Sequence, residues 1–252
     1  MKNNKSLGQH WLNNRQILDE IADLACEDLL ETGLCLEIGP GLGTLTSSLL
    51  KRFDKVVAVE YDARLAGNLP KSFPGKNLQV VQGDILTVDV AKLVGDGPYA
   101  VVGNIPYYIT SPIVRKFITV TPRPERIVLL MQKEVAERIA AEAGDHTWIS
   151  ILVQNYARVT LGPVVPAAEF TPPPKVDSQV LILVPYNAPL IGEAALGLAK
   201  RGFASPRKKL ASVLADGQCS REQWREKLQR LNLNPDARAE DLSLDDWEKL
   251  NS

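Results

Sequence analysis

Three cysteines (Cys26, Cys35 and Cys219) and two histidines (His10 and His146) are all that this 252-residue chain offers in thiols and imidazoles. So few and so scattered, they make neither a disulfide framework nor a Cys/His metal cluster, and no metal is expected. Cys35 falls inside an apolar run and reads as a small buried hydrophobe. Long apolar stretches are also missing, and the start, M-K-N-N-K-S-L-G-Q-H, lacks the apolar segment of a secretory signal. A cytoplasmic protein without a membrane partner is expected. Nor is there a basic excess, since 29 Lys and Arg stand against 30 Asp and Glu for a net charge of −1. A nucleic-acid partner would have to be met by local charge rather than by the overall balance. Internal repeats and low-complexity tracts are absent.

What is present is a 45% hydrophobic composition, enough for a sizeable core. A helix is expected over 15–30. Strand-like runs such as 55–60, 78–82, 100–103 and 127–131 then alternate with helical patterns through Val184, which implies an α/β sheet with helical cover. Beyond Pro185 the strand signals stop, and short amphipathic helices are expected over 191–201, 206–214, 221–231 and 244–250. The expected organisation is a catalytic domain over 1–186 and a small helical domain over 187–252.

Chemistry concentrates at the ends of the predicted strands. The run C-L-E-I-G-P-G-L-G-T-L-T, Cys35 to Thr46, leads an apolar strand into a glycine-rich turn and a helix. Gly39, Gly41 and Gly43 let a ligand approach the main chain. Their G-x-G-x-G spacing is neither the dinucleotide G-x-G-x-x-G nor a phosphate-binding loop ending G-K-S/T, so a cofactor without a pyrophosphate is favoured. The next strand ends at Glu60, where doubly wound folds place an acid that accepts ribose hydroxyls. Asp84 follows the third strand and could accept from an adenine amino group. Taken singly, either acid is as readily a surface carboxylate; together, after successive strands, they mark one crevice.

The most specific stretch is V-G-N-I-P-Y-Y-I-T-S-P-I, Val102 to Ile113. Pro106 fixes its own backbone, lacks an N–H and pushes Ile105 toward an extended conformation. The Asn104 side-chain oxygen and a backbone carbonyl can then converge on an exocyclic amine, with the Tyr107 ring as a stacking face. A Pro-containing loop with core tyrosines remains the plainer alternative for the tetrad alone.

These segments, together with S-L-G-Q-H-W-L (Ser6 to Leu12), G-D-I-L (Gly83 to Leu86), M-Q-K-E-V-A-E-R-I (Met131 to Ile139), F-T-P-P-P-K-V-D-S (Phe170 to Ser178) and F-A-S-P-R-K-K-L (Phe203 to Leu210), resemble the KsgA/RsmA family of ribosomal RNA adenine dimethyltransferases over nearly the whole chain. The resemblance implies a class I, Rossmann-like S-adenosylmethionine methyltransferase that converts adenines near the 3′ end of small-subunit ribosomal RNA to N6,N6-dimethyladenine during ribosome assembly. It implies that His10 and Leu12 close over the methionine end of the cofactor and that Gly39 and Gly41 lie against it. Glu60 would hold the ribose, and Asp84 with Ile85 the adenine. Asn104 would lie between the cofactor and the target base, and with Ile105, Pro106 and Tyr107 would hold that base, with Phe170 as a second aromatic wall. Trp11 stands where the family commonly has Phe, and His10 where Asn is frequent.

Lys200, Arg201, Arg207, Lys208 and Lys209 form a basic stretch that could face RNA, although a charge run is usually a solvated surface. Arg115, Lys116, Arg123, Arg126, Lys133 and Arg138 are further candidates. The expected partner is the small ribosomal subunit and its RNA, met by a monomer. Two alternatives stand beside this: a large-subunit RNA methyltransferase of the macrolide-resistance type, and an RNA-binding assembly or transcription factor that keeps the fold.

Overall fold

The computed structural model describes residues 10–27, 29, 33–106 and 109–252. In chain order the elements are β1 (Trp11–Leu12), α1 (Arg15–Cys26), β2 (Leu34–Ile38), α2 (Thr44–Leu49), β3 (Lys55–Glu60), α3 (Ala63–Ser72), β4 (Leu78–Gln82), α4 (Val90–Val94), β5 (Tyr99–Asn104), α5 (Thr110–Thr119), β6 (Arg126–Gln132), α6 (Lys133–Ile139), α7 (Trp148–Tyr156), β7 (Ala157–Val165), β8 (Phe170–Thr171), β9 (Ser178–Pro185), α8 (Glu193–Gly202), α9 (Leu210–Leu214), α10 (Arg221–Arg230) and α11 (Leu244–Asn251). Seven strands form one sheet in the order β4-β3-β2-β5-β6-β9-β7. From β4 to β6 neighbours are parallel, and β9 runs antiparallel to β6. Successive strands step outward from β2 in one direction through β3 and β4, then in the other through β5 and β6. The order therefore reverses between β2 and β5, the place where doubly wound sheets open a ligand crevice at their carboxyl ends.

The central strands form because they are apolar on both faces: Val56, Val57, Ala58, Ala100, Val101, Val102, Ile127, Val128 and Leu129 are fully buried. Such continuous apolar runs suit parallel strands covered on both sides. On one side the cover is α1 and α2, whose Leu18, Ile21, Leu45 and Leu49 pack with Cys35, Val56 and Ala100. The α1 helix starts at Asn14, whose side chain accepts from the amides of Gln16 and Ile17. It ends at Cys26, short of the expected 30, because Glu27 turns extended.

Two compact units make up the chain. The first is Met1–Ala136 with Arg158–Pro185 and carries the sheet; the second is Glu137–Ala157 with Tyr186–Ser252. Here the structure differs from the single boundary expected at 186, because α7 sends Ile151 into the helical core beside Ile191, Ala195 and Leu198. The Asn155 amide, fully buried, accepts from the Ile191 amide at 2.8 Å and stitches the two segments of that unit together. Amphipathic periodicity shows that a helix has a buried face but not which core takes it.

The basic stretch also differs from expectation. Only Lys200 and Arg201 are helical; residues 203–208 form turns and bends, Lys209 is extended, and α9 begins at Leu210. Pro206 has no N–H to give to a preceding turn, while the Lys208 amide bonds the Ser205 carbonyl and the Leu210 amide bonds Ala237.

Candidate active site

The carboxyl ends of β2, β3, β4 and β5 surround a cavity of about 340 Å³ in the first unit. Register explains why they converge. Ile38 pairs with Val59 of β3 and with Gly103 of β5, so the glycine turn, Glu60 and Asn104 all emerge at one level. The turn itself has Gly39 at φ 62°, Gly41 at 59° and Gly43 at 82°, left-handed values that a side chain would strain. A Cβ at Gly43 would sit 2.7 Å from Leu69, whereas one at Gly39 would meet nothing within 4 Å. Gly43 is thus required by packing, and Gly39 leaves open space on the cavity side.

Glu60 is buried and locks this turn to β3. One carboxylate oxygen accepts from the Gly41 amide at 3.0 Å and the other from Asp62 at 2.8 Å. Burial raises its pKa, with the Asp62 and Gly41 amides pulling the other way. After β4, Asp84 accepts from the Leu86 amide at 2.9 Å, and the buried Ile85 lies beside it on the cavity wall. Lys116 of α5 reaches the Val88 carbonyl at 2.8 Å and so ties down the loop that carries both.

Asn104 closes the fourth side. Its Nδ2 donates to the His10 carbonyl at 3.0 Å, which turns the Oδ1 acceptor away from His10. Ile105 is buried and donates its amide to Leu130, while the Pro106 carbonyl accepts from Ile109. His10 belongs to a strap over the cavity edge. The strap is clasped by the segment 169–172: Trp11 and Leu12 pair with Thr171 and Phe170, the His10 Nδ1 bonds the Pro172 carbonyl at 2.7 Å, and Asn13 reaches Thr171 at 2.9 Å. The indole of Trp11 lies against the glycine turn, its Nε1 3.3 Å from where a Cβ of Gly41 would be.

His10, Leu12, Gly39, Gly41, Glu60, Asp84, Ile85, Asn104, Ile105 and Pro106 therefore all line one cavity. Tyr107 lies outside the described residues. Phe170, expected to wall the target base, is not among this cavity's lining residues; its ring is buried in the core around Leu12, Leu18 and Val165 beneath the strap.

Among the basic candidates, Arg126 is 5% exposed and bound to the Glu27 carboxylate at 2.6 Å, which removes it from any RNA surface. Arg201 is paired with Asp216 at 2.8 Å and Lys209 with Asp236 at 2.9 Å; Arg225 also binds Asp236. Lys200, Arg207 and Lys208 are exposed and form no ion pair with a described residue.

The family model described as ribosomal RNA adenine dimethylase matches residues 1–250. This chain belongs to that family. A Ribosomal RNA small subunit methyltransferase A of Dehalococcoides mccartyi is 40% identical over 99% of this chain and 88% of its own length; one of Nostoc is 41% identical over 98% and 96%. Among solved structures, a dimethyladenosine transferase from Plasmodium falciparum superposes with a TM-score of 0.80 at 28% identity over 96% of both chains. The 23S rRNA methyltransferase ErmE superposes at 0.76, also 28% identical, over 96% of this chain and 98% of that one. The fold is that of class I S-adenosylmethionine methyltransferases, and the chain is an S-adenosylmethionine-dependent rRNA adenine methyltransferase. The cavity suits that cofactor. It has open space at Gly39 and acids at Glu60 and Asp84, and no Lys or Arg among its described lining residues.

Among the cavity residues that escaped the sequence reading, two are polar or aromatic and notable for their exposure or burial. Tyr61, immediately after Glu60, lines the cavity with 63% of its surface exposed; an aromatic following a strand-end acid was the available signal. Glu37 also lines it, yet is 1% exposed in an otherwise apolar strand. Burial pushes its carboxyl up to about 8, with Thr46 pulling back and Glu60 adding repulsion. The folded protein thus keeps a proton that the unfolded chain sheds above about 4.5. Stability is therefore lost as pH rises from there through about 8, and the loss then levels off. Glu37→Gln should gain in melting temperature over the native protein as pH goes from 5 to 8, with a constant difference above. A difference independent of pH would show that Glu37 is ionised in the folded state.

Proposed function

We propose that the protein places two methyl groups on N6 of adenines in small-subunit ribosomal RNA, with the cavity holding the cofactor and Asn104 meeting the target amine at its edge. The observation that carries this is the Asn104 side chain, held by the His10 carbonyl at 3.0 Å at the rim of the cavity that also contains Glu60 and Gly39. Glu60 accepts from the ribose hydroxyls while keeping its bond to the Gly41 amide. Asp84 takes the cofactor's adenine amine, with Ile85 and Tyr61 as apolar faces. The strap of His10 and Leu12 covers the methionine end. Bound S-adenosylmethionine supplies an electrophilic methyl group on a sulfonium, so no metal and no strong base are needed.

The protein's own task is orientation. The lone pair of an exocyclic adenine amine is delocalised into the ring, and acceptors at the Asn104 Oδ1 and the Ile105 carbonyl draw the two N–H bonds out of that plane. They also stabilise the positive charge that develops on nitrogen during transfer. Tyr107 is assigned the stacking face on the base. The proton leaves to solvent. Phe170 contributes by holding β1 in place. An adenine in a loop or single strand is favoured because extruding a paired base costs about a few kcal/mol.

The small subunit is chosen over the large on the identity of about 40% to proteins named for the small subunit, against 28% for ErmE. Recognition of a site near the 3′ end during assembly, action as a monomer in the cytoplasm, and RNA contact by the second unit complete the reading. Lys200, Arg207 and Lys208 are the phosphate-facing cations, because Arg201 and Lys209 are already neutralised within the unit.

Asn104→Ala should cut turnover by about 100-fold or more, the scale for losing one positioned transition-state partner, while the Kd for S-adenosylmethionine in calorimetry changes little. Near-normal turnover would remove Asn104 from the chemistry. Replacing Lys200, Arg207 and Lys208 together with Glu should weaken RNA binding and flatten its dependence on salt. The same replacement at Arg201 and Lys209 should cost more in melting temperature than in RNA affinity. An unchanged salt slope in the first variant would move the RNA surface elsewhere.

A further inference from the structure

The methionine end of S-adenosylmethionine carries a carboxylate, and little in this cavity is suited to receive one. The groups that line it from the strand ends, Glu37, Glu60 and Asp84, are all acids, and no described lining residue is a Lys or Arg. The glycine turn has spent its amides. Gly39 donates to the Val59 carbonyl at 2.9 Å, Gly41 to the Glu60 carboxylate at 3.0 Å and Gly43 to the Pro40 carbonyl at 2.9 Å. The Asn104 side-chain amide is committed to the His10 carbonyl at 3.0 Å. An anion that entered without meeting donors would lose its hydration and gain nothing in return.

Trp11 supplies what the turn lacks. Leu12 sends its side chain into the core, and successive residues of a strand point to opposite faces, so Trp11 projects the other way, onto the cavity wall. The edge that it turns toward the glycines is the polar one: the indole Nε1 lies 3.3 Å and Cδ1 3.4 Å from where a Cβ of Gly41 would stand. A side chain at 41 would press on that edge, and its absence leaves space next to the nitrogen. Close by, Gly39 has nothing within 4 Å of its own Cβ position. The indole is half-buried and its N–H is bonded to no described residue. A tryptophan N–H can only donate, and one withdrawn from bulk water ordinarily has a partner. Thr44, at the start of α2, adds a hydroxyl to the same wall. The phenylalanine common at this position in the family would keep a ring there and lack the donor.

We propose that the Trp11 indole N–H donates to the carboxylate at the methionine end of the cofactor, which makes Trp11 a cofactor-binding residue through a bond that a ring alone does not provide. This deepens the methyltransferase reading and rests on it. The contact joins a neutral donor to an anion, a stronger hydrogen bond than one between two neutral groups, and no proton changes hands. The strap sets its direction: the pairing of Trp11 with Thr171 and the bond from His10 to the Pro172 carbonyl hold the ring over the turn. The carboxylate is the same in S-adenosylmethionine and in the spent S-adenosylhomocysteine. Trp11 therefore favours both alike, adding affinity without lowering the barrier to methyl transfer.

The test is calorimetry on the intact protein and on Trp11→Phe, confirmed folded by its melting curve. The ligands are S-adenosylhomocysteine and its decarboxylated counterpart, which keeps the adenosine, the sulfur and the amine. The variant should bind S-adenosylhomocysteine about tenfold more weakly, the scale for losing a hydrogen bond to a charged group, and the decarboxylated ligand as tightly as the native protein does. S-adenosylmethionine should lose the same factor. Trp148, Trp224 and Trp247 lie in the second unit, so Trp11 carries the sole indole of the first. Its N–H proton resonance, identified by its absence from the variant, should move downfield on addition of S-adenosylhomocysteine and much less with the decarboxylated ligand. Unchanged affinity for S-adenosylhomocysteine in the variant would overturn the proposal. An equal loss for both ligands would do so as well, by making Trp11 a packing residue, and a loss confined to S-adenosylmethionine would trace the contact to the sulfonium instead. Each of these results leaves the cavity assignment standing. Failure of the native protein to bind either S-adenosylmethionine or S-adenosylhomocysteine would overturn the cavity assignment and this proposal together.

Discussion

The closeness of β5 to β2 at Gly103 governs everything built at the sheet's edge. A Cβ there would stand 2.9 Å from the Ile38 carbonyl oxygen and 3.0 Å from the Ile38 Cβ, so only glycine lets the two strands pair through their last residues. One residue beyond, the chains part. Gly39 begins the turn on one side, and Asn104 begins the Asn-Ile-Pro segment on the other. A separation set by backbone contact is far stiffer than one set by side chains, and group transfer depends on such stiffness because small misplacements of a reacting atom are expensive in rate. The bond from Asn104 to the His10 carbonyl then fastens the amino-terminal strap to the same point, and Phe170 beneath β1 anchors that strap to the core.

Much of this was legible in the residues. Acids at strand ends, glycines after an apolar strand and a proline that straightens its predecessor are local signals with local causes, and Glu60, Asp84, Gly39 and Asn104 do reach one cavity. Questions that depended on partners distant in the chain were not legible. The burial of Phe170 beside Leu12, Leu18 and Val165 depends on the amino-terminal strap, which is distant in the chain. Arg126 could have faced RNA, until Glu27 was found against it. The run from Lys200 to Lys209 reads as one basic stretch; turns around Pro206 divide it, and Asp216 and Asp236, remote in sequence, consume two of its charges. The segment 137–157 has the same apolar spacing whichever core receives it. Glu37 sat in plain sight within L-E-I-G-P-G, but a carboxylate in a strand gives no sign of its burial until both faces of the sheet are covered.

The charge layout reconciles a net charge of −1 with an RNA substrate. Acids line the cavity at Glu37, Glu60 and Asp84, and in unit 2 Asp216 and Asp236 pair with Arg201 and Lys209. Lys200, Arg207 and Lys208, which form no ion pair with a described residue, are exposed cations whose influence at physiological salt is local, about 8 Å.

The central claim is that this cavity serves methylation of small-subunit RNA adenines. The most direct measurement incubates the purified protein and S-adenosylmethionine with undermethylated small ribosomal subunits and, separately, with naked large-subunit RNA, then quantifies methylated adenosines by nucleoside mass spectrometry. Dimethyladenosine in the small subunit alone is the predicted result. Its appearance only in large-subunit RNA, or in neither substrate while the cofactor still binds, would contradict the account.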